Sequence, residues 1–514
     1  SRRMPPCSSD ADEFADEREA TLQALAECNN GRHFGHKHEM FMHGKLMSGP
    51  LPKPTVLWKS DKKPRKDHDT ESWLTATEYE DVPAAMKAKV KQIAKLMRLS
   101  RHTVAYTGAG ISASAVGQAA LSGVNKTGWL AKTEAQPTPT HHALARLGQV
   151  GLIHGWVQQN HDGLPQKAGF PQEKINEVHG SWFDPSNPVV KYSGSLKEAE
   201  AEWMERETVE ADLVLVLGTS LGGLYADQVA TECAERAANG RSLGAVIINL
   251  QQTEQDGKMS VNSFGRSDDV LRLLLPELGI EAPPTSARAL HAALPQWSPI
   301  ECALVPYNAS GARLPPDTPQ EKWMWLDLRP GARIKLNRNH NHQGARQPNT
   351  IHIGAKEGKK FQGKELKNCG PGNGVVVRRD EETASIKIQI ESTPMRIGIW
   401  WLMAAVRGGP ASLPIVNDKP KFGDAPDPSG GVIKGKHANK GATPSAAAGG
   451  KSKVEPPKGT GRGQVAAAAR WQQSELAAKA AQAIGVGRGK GKEPAALGHP
   501  VSVVRALYSG LDFE

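Results

Sequence analysis

The sequence predicts an α/β core, a parallel sheet with helices on both faces, followed by a β-rich region and a tail with no packed core. Three observations carry that prediction. Between residues 103 and 280, short β-branched apolar runs alternate with helical stretches, as in a parallel sheet covered on both sides. Two of those runs break into glycine, at Thr107-Gly-Ala-Gly110 and Leu217-Gly-Thr-Ser220, where doubly wound sheets deliver binding loops. From about Trp297 the texture changes to period-two alternation punctuated by Gly, Pro and Asn, the pattern of antiparallel strands. The core is therefore expected to be Rossmann-like.

Taken in order, residues 1–82 read as an irregular polar extension with one acidic helical stretch near 10–28. Residues 86–99 read as a helix, because Val90, Ile93, Ala94 and Met97 recur at 3.6-residue spacing beside lysines. Strands are expected at 103–107, 152–157, 213–217 and 245–250, with helices at 225–238 and 269–278, inside a core bounded at 83–282. In the β-rich domain, 297–405, the segments 322–329, 333–336, 350–353, 374–378 and 385–390 alternate, as in a sandwich, and show no catalytic constellation. Residues 411–514 are rich in Pro, Gly, Ala and Lys. They are too poor in apolar side chains to offset the entropy of ordering, so a disordered tail is expected, with a transient helix over the Ala-rich stretch 464–483.

Length and composition bound the function. A chain of 514 residues has room for about three domains. With 38% hydrophobic and 23% charged residues it should be soluble. No apolar run approaches the roughly 20 residues that cross a bilayer. The start, Ser1-Arg-Arg-Met4, lacks the apolar stretch of a secretory signal, so an intracellular protein with no membrane partner is expected. Cys7, Cys28, Cys233, Cys302 and Cys369 are scattered with no CxxC, which argues against a disulfide framework and a cysteine-built zinc site. Histidines cluster at His33-Phe-Gly-His36-Lys-His38 and His340-Asn-His342, in polar sequence that reads as surface loop before metal site. The net charge of +10 is uneven: a basic run covers 59–66, and the tail carries 15 basic against 8 acidic side chains. Such segments neutralise phosphates without reading sequence, or serve as solvated linkers.

The chemistry gathers at strand ends. Gly108-Ala-Gly110 after a strand lets the backbone turn tightly and approach a pyrophosphate, with a helix N-terminus behind it. Gly218-Thr219-Ser220 repeats the arrangement, and Asn249 ends another strand. Each alone is matched by ordinary helix capping and turn formation. Together with Asn160 and Asp162 after a further strand, they mark a crevice at the edge of a doubly wound sheet. His179, in Glu177-Val-His-Gly-Ser181, adds the side chain best suited to take a proton near neutral pH.

In this order the segments Thr107-Gly-Ala-Gly-Ile-Ser112, Pro139-Thr-His-His-Ala-Leu144, Gln159-Asn-His-Asp-Gly-Leu164, His179-Gly180, Gly218-Thr-Ser-Leu221 and Asn249-Leu-Gln251 resemble the motifs of sirtuins, NAD-dependent protein-lysine deacylases. The resemblance covers 83–280, roughly two-fifths of the chain. It is closest to the class IV members, which are nuclear and chromatin-associated; Gly169-Phe-Pro-Gln-Glu-Lys-Ile-Asn-Glu-Val-His179 also reads like that class.

The resemblance implies NAD as cofactor, with Gly108, Ala109, Gly110 and Ser112 cradling phosphates and ribose. Gln159, Asn160 and Asp162 would line the nicotinamide-ribose pocket, and Gly218, Thr219, Ser220, Asn249 and Leu250 the phosphate and adenosine half. His179, with Asn160 and Asp162, would be catalytic. In the implied reaction an acyl oxygen of a modified lysine attacks the ribose carbon as nicotinamide leaves. The base then activates a ribose hydroxyl, and the acyl group ends on ADP-ribose. Val189 and Val190 on one side, and Gly222, Gly223 and Leu224 on the other, would pair with an acyl-lysine peptide, such as a histone tail, as an added strand. The basic tail points to nucleic acid and to the nucleus, with the cytoplasm as the other compartment.

Two departures stand out. The family's zinc ribbon, with two CxxC pairs, would lie after the catalytic histidine; here only Ser181-Trp-Phe-Asp-Pro-Ser-Asn-Pro188 intervenes, so no metal is expected. The family's Gly-Ile-Pro-Asp-Phe-Arg loop is replaced by Ala115-Val-Gly-Gln-Ala-Ala-Leu-Ser122, without its acidic, aromatic and basic side chains. That leaves a second expectation, a weak or inactive NAD or ADP-ribose binding module, or an ADP-ribosyltransferase, acting as a chromatin adaptor.

Overall fold

The computed structural model describes residues 8–29, 42–47, 51–62, 74–116, 133–190, 195–283, 301–337, 372–391 and 393–423, all within one compact unit spanning Ser1–Ala442. Both histidine clusters, the strand expected at 350–353, most of the 115–122 segment and the tail beyond 423 lie outside the described residues.

Ahead of the core, the helix Ser8–Asn29 (α1) falls on the acidic stretch expected to be helical, and a two-stranded antiparallel sheet of Thr55–Trp58 (β1) and Glu78–Glu80 (β2) adds order that the polar composition did not suggest. Arg18 of α1 forms an ion pair of 2.7 Å with Asp212 at the foot of a core strand.

Six parallel strands then build the core: Thr103–Thr107 (β3), Gly155–Gln158 (β4), Ile175–Glu177 (β5), Leu213–Leu217 (β6), Gly244–Asn249 (β7) and Val261–Phe264 (β8), in the order β5-β4-β3-β6-β7-β8. The chain steps outward from β3 to β4 and β5, then returns to the other side of β3 with β6. The crevice at this switch point opens at the C-terminal ends of β3 and β6. Every residue of β3, β4 and β6 is buried. Period-two alternation sorts their side chains between two apolar clusters. Ala105, Leu213, Leu215, Leu217, Val246 and Ile248 pack on one face with Pro83–Leu99 (α2), Pro139–Gln149 (α4) and Ser267–Glu277 (α8). Val104, Val214, Val216, Ala245 and Ile247 pack on the other with Glu198–Glu210 (α6) and Gln228–Ala237 (α7). Short helices Ala113–Val116 (α3) and Leu164–Lys167 (α5) follow β3 and β4. The strand expected at 152–157 starts only at Gly155, because the N–H groups of Leu152 and Ile153 both turn back to the Leu147 carbonyl and close α4.

The β-rich region holds Cys302–Val305 (β9), Met324–Asp327 (β10), Arg333–Leu336 (β11), Asn373–Asp380 (β12), Ser385–Ile390 (β13), Thr393–Gly398 (β14), the helix Trp400–Val406 (α9), Ile415–Asn417 (β15) and Lys421–Phe422 (β16). They form two antiparallel sheets, β16-β10-β9 and β14-β13-β12-β11-β15, around a shared apolar cluster. In β13, Ile386, Ile388 and Ile390 point into it, while Lys387 and Gln389 do not. Order runs past the boundaries expected at 405 and 411: β15 pairs with β11, and Leu413, Ile415 and Val416 are buried. Leu413, Ile415 and Val416 form a short apolar run at the start of the 411–514 segment, and it packs into the cluster of the β-rich region.

Candidate active site

The two glycine turns meet backbone to backbone. Gly108 N–H donates to the Leu217 carbonyl at 3.1 Å, and Gly110 N–H to that of Gly218 at 2.8 Å. Gly218 has φ +60°, and a Cβ placed on it would lie 2.6 Å from Ile111 N; one on Gly110 would lie 2.6 Å from Gly218 Cα. Only glycine permits that approach. Asn249, from β7, fixes the second turn by donating to the Thr219 carbonyl at 3.1 Å and that of Gln251 at 3.0 Å. Ala109, Ser220 and Leu250 stay half-buried and Gly110 exposed at the mouth of the crevice.

The turn after β4 is tied to the first glycine turn. Asn160 Nδ2 donates to the Gly108 carbonyl and to Ser112 Oγ, each at 3.1 Å, and Ser112 Oγ donates to Asp162 Oδ2 at 2.7 Å. Asp162 is wholly buried; burial pushes its carboxyl up, opposed by Ser112, the Leu164 N–H and the charge of Lys167. His141, quoted above within a motif but given no role, completes the cluster. The Thr138 N–H points at its Nδ1, 3.2 Å away, so Nδ1 accepts, and the proton sits on Nε2, 3.4 Å from Ser112 Oγ. Burial brings His141 down to about 3.

Gln159 joins the glycine turns to the Gly223-Leu224 turn. Its Oε1 accepts from Thr219 Oγ1 at 3.3 Å, and its Nε2 donates to Asp227 Oδ1 at 3.2 Å and to the Tyr106 hydroxyl. Tyr106 donates to the same Asp227 oxygen at 2.7 Å. The other Asp227 oxygen accepts from the N–H groups of Gly223 and Leu224, both at 2.9 Å. Sequence reasoning missed Tyr106 and Asp227. The signal for the first was a hydroxyl in the otherwise apolar run Val104-Ala-Tyr106; Asp227 looked like any residue of a helix start.

His179 is half-buried, with Nδ1 3.3 Å from the Gln159 carbonyl. A carbonyl only accepts, so Nδ1 carries the proton and the lone pair lies on Nε2. Burial, and then the neighbouring His161, pull His179 down to about 4, so the ring is neutral at physiological pH. The His179 carbonyl accepts from Val190 N–H at 3.0 Å, which places the Val189-Val190 strip beside it. The fold thus joins His179, Gln159, Asn160, Asp162, Ser112, the two glycine turns and Thr219 in one hydrogen-bonded set. Val190 and the Gly223-Leu224 turn border it, and Ser220 and Leu250 sit at its mouth. Among the described residues no three His, Cys, Asp or Glu side chains converge as a metal site.

Fold and site define a doubly wound α/β protein whose switch-point crevice is lined by two glycine turns and faced by a neutral histidine. Its core is similar to that of sirtuins: the Sir2 family model matches residues 124–187, a span that holds Gln159, Asn160, Asp162 and His179 but neither glycine turn. The chain is 30% identical over 256 residues to the NAD-dependent protein deacetylase SRT1 of Arabidopsis thaliana, covering 40% of this chain and 53% of that one. It is 29% identical over 255 residues to sirtuin-7 of Mus musculus, covering 40% and 63%. The chain therefore spans little more than half the length of these relatives. A shorter relative, the NAD-dependent protein deacylase 2 of Pyrobaculum aerophilum, is 28% identical over 245 residues, covering 36% of this chain and 94% of its own. A solved Sir2 structure described as a complex with p53 peptide and NAD+ aligns over 38% of this chain at 23% identity, with a TM-score of 0.33.

Proposed function

We propose that this chain is an NAD-dependent protein-lysine deacylase that moves the acyl group to ADP-ribose and releases nicotinamide. The observation that carries the reading is His179: neutral, its Nε2 lone pair free, and anchored through Nδ1 to the Gln159-Asp162 turn that the glycine turns hold. The names of the matched relatives support it.

The residues present fit a dinucleotide. Gly110 and Gly218 lie so close that neither tolerates a Cβ, leaving backbone and short side chains to meet phosphates at the strand ends. Gly108, Ala109, Gly110, Ser112, Gly218, Thr219, Ser220, Asn249 and Leu250 would hold the ligand, with Gln159, Asn160 and Asp162 at its nicotinamide ribose. When bound, NAD supplies the bond to nicotinamide that breaks and the ribose hydroxyl that receives the acyl group. His179 Nε2 takes the proton of that hydroxyl, while its Nδ1–H stays on the Gln159 carbonyl and keeps the tautomer fixed. Asn160 and Ser112 hold Asp162 in place. The acyl-lysine peptide, of which a histone tail is the candidate, enters between Val189-Val190 and Gly222-Leu224 through main-chain hydrogen bonds.

The 115–122 sequence favours a second reading, an ADP-ribose binding module or transferase, because it lacks the charged and aromatic side chains of the family's covering loop. Nicotinamide release with and without an acetyl-lysine histone-tail peptide, in wild type and His179→Ala, separates the two. The expected result is peptide-dependent release over many turnovers that falls by about 10²-fold or more in the variant, because acyl transfer after the first release stalls without the base. Folded protein that binds ADP-ribose yet releases nothing returns the module reading, and a one-unit ADP-ribosyl mass gain on the target returns the transferase. Nuclear residence and nucleic-acid contact belong to the same proposal and rest on the basic tail. Truncation after residue 423 should weaken DNA binding and flatten its salt dependence.

A further inference from the structure

Both loops that carry the chemistry end against the β-rich region. Gly163 directly follows Asp162 and has φ +63°; a Cβ built on it would lie 3.0 Å from Trp400 Cη2 and Cζ2 and 2.9 Å from Phe183 Cδ2. Both rings therefore press on the backbone of the Asp162 turn. Phe183, four residues after His179, is itself wholly buried in the apolar cluster of the β-rich region and meets Trp400 edge to face, with ring centroids 5.2 Å apart. The Gly398 N–H at the end of β14 donates to the Phe183 carbonyl at 2.9 Å.

The two loops are also tied to each other. Trp182 N–H donates to the His161 carbonyl at 3.0 Å, and His161 Nδ1–H donates to the Gly180 carbonyl at 2.8 Å. The Lys167 ammonium lies 4.9 Å over the Phe183 ring, while donating to the Thr133 and Ala135 carbonyls at 3.0 Å each. A push on Phe183 or Trp400 is thus felt at Gly163 and Gly180, the immediate neighbours of Asp162 and His179.

We propose that Trp400 and Phe183 are positioning residues, and that the β-rich region acts through them as a clamp setting the spacing between the His179 loop and the Asp162 turn. Residues 301–423 are then an integral part of the active unit and not an appended module. The proposal rests on the deacylase reading only for its kinetic consequence; the geometry of the His179 loop stands without it.

The test compares Trp400→Ala, Trp400→Leu and Trp400→Phe with Ile388→Ala, a residue of the same buried cluster that none of these site contacts involves. The first readout needs no activity: titration of the imidazole resonance that disappears in His179→Ala, followed by NMR. In wild type it should titrate near 4. In Trp400→Ala, and in Trp400→Leu if the alanine variant does not fold, the loosened loop admits water and the midpoint should climb toward 6.5. Trp400→Phe should restore most of the wild-type value, and Ile388→Ala should leave it unmoved while lowering the melting temperature. The second readout is nicotinamide release, where kcat should fall roughly tenfold to a hundredfold for Trp400→Ala with KM for NAD little changed. If Trp400→Ala and Trp400→Leu lower the melting temperature as Ile388→Ala does, and leave the His179 midpoint where it was, Trp400 is packing alone and the clamp is wrong. Wild-type protein without nicotinamide release would sink the deacylase reading and leave the titration to decide the clamp.

Discussion

The parallel core and the β-rich region bury apolar surface in two different ways, and only one of them makes a site. In the core, β3, β4 and β6 are buried along their whole length. Apart from the Tyr106 hydroxyl, the polar side chains of these three strands stand at their ends, where the chain turns outward beside Gly108, Asn160 and Gly218. In β13 the alternation of Ile386, Ile388 and Ile390 with Lys387 and Gln389 spreads polar groups along a solvated face instead. Its ends are spent on a hairpin to β14 and on pairing with β12. A sheet covered on both faces concentrates chemistry at its edge; a sheet with one wet face supplies bulk and stiffness to a neighbour.

The largest difference is expected where each region relies on glycine. Gly218→Ala forces a side chain into a left-handed conformation, about 1–2 kcal/mol, and puts a Cβ 2.6 Å from Ile111 N, where backbone has to move. The two glycine turns must separate, and the loss should amount to several kcal/mol, a large part of the stability of an ordinary domain. Gly408→Ala in the β-rich region has the same φ problem, at +66°, but meets only Pro306 Cγ at 3.0 Å. It should cost about 1–2 kcal/mol. Thermal melting of both variants checks this; equal losses would mean that the backbone contact between the turns of β3 and β6 is not tight.

Core truncations sharpen the comparison next. Leu215→Ala and Ile388→Ala each remove a wholly buried side chain and should cost about 2–5 kcal/mol. Because Phe183 belongs to the cluster of the β-rich region and sits on the His179 loop, both substitutions should lower one shared calorimetric transition. Two separate transitions, each sensitive to one variant, would break the picture of a single unit.

The sequence disclosed the core better than the neighbours of its site. The strands β3, β6 and β7 were legible because uninterrupted β-branched runs ended in glycine or asparagine, and the glycine turns, Asn160, Asp162 and His179 followed from residue type and order. The edge strands β5 and β8, of three and four residues, are too short to show a run. Tyr106 was hidden because its ring fills an apolar position while its hydroxyl works elsewhere. Asp227 and His141 act through partners more than a hundred and nearly thirty positions away, respectively, and spacing along a chain carries no such information. Trp400 carried no reading of its own within the 297–405 domain; only the fold shows it resting on Gly163.

A smaller loss is expected at Asn160. Asn160→Ala removes the two donations that hold the Gly108 carbonyl and Ser112 Oγ. Buried polar groups left without a partner cost about 1–3 kcal/mol. Ser112 keeps its bond to Asp162, so a loss near the lower end is expected in denaturant melts. Ligand affinity should fall further than stability, because the glycine turn is freed from the β4 turn while the apolar clusters are untouched.

The smallest effect is a flat stretch in a pH profile. His179 accepts a proton only when neutral, and burial beside His161 brings its pKa down to about 4. Nicotinamide release should therefore change little between pH 8 and 5, then fall with an acid limb near 4; an ordinary imidazole would give a limb near 6.5. Stability should not produce that limb by itself. His141 and His179, with folded values below the unfolded one, take up protons on unfolding below 6.5, down to about 3 for His141 and about 4 for His179, and make the fold weaker as pH falls through those windows. Asp256, raised to about 7 by burial, and Asp162 and Glu177, also raised, release protons on unfolding and act with the opposite sign. In the β-rich region the Asp380 pairs stay charged throughout. Burial pushes the Asp380 carboxyl up, but hydrogen bonds from Arg396 and Lys387 outweigh it and hold the group at about 2, so these pairs survive until the acid limb has passed. An acid limb at pH 6 to 6.5 in fully folded protein would show His179 open to solvent, and would remove the electrostatic difference between the enclosed site and the solvated sheet beside it.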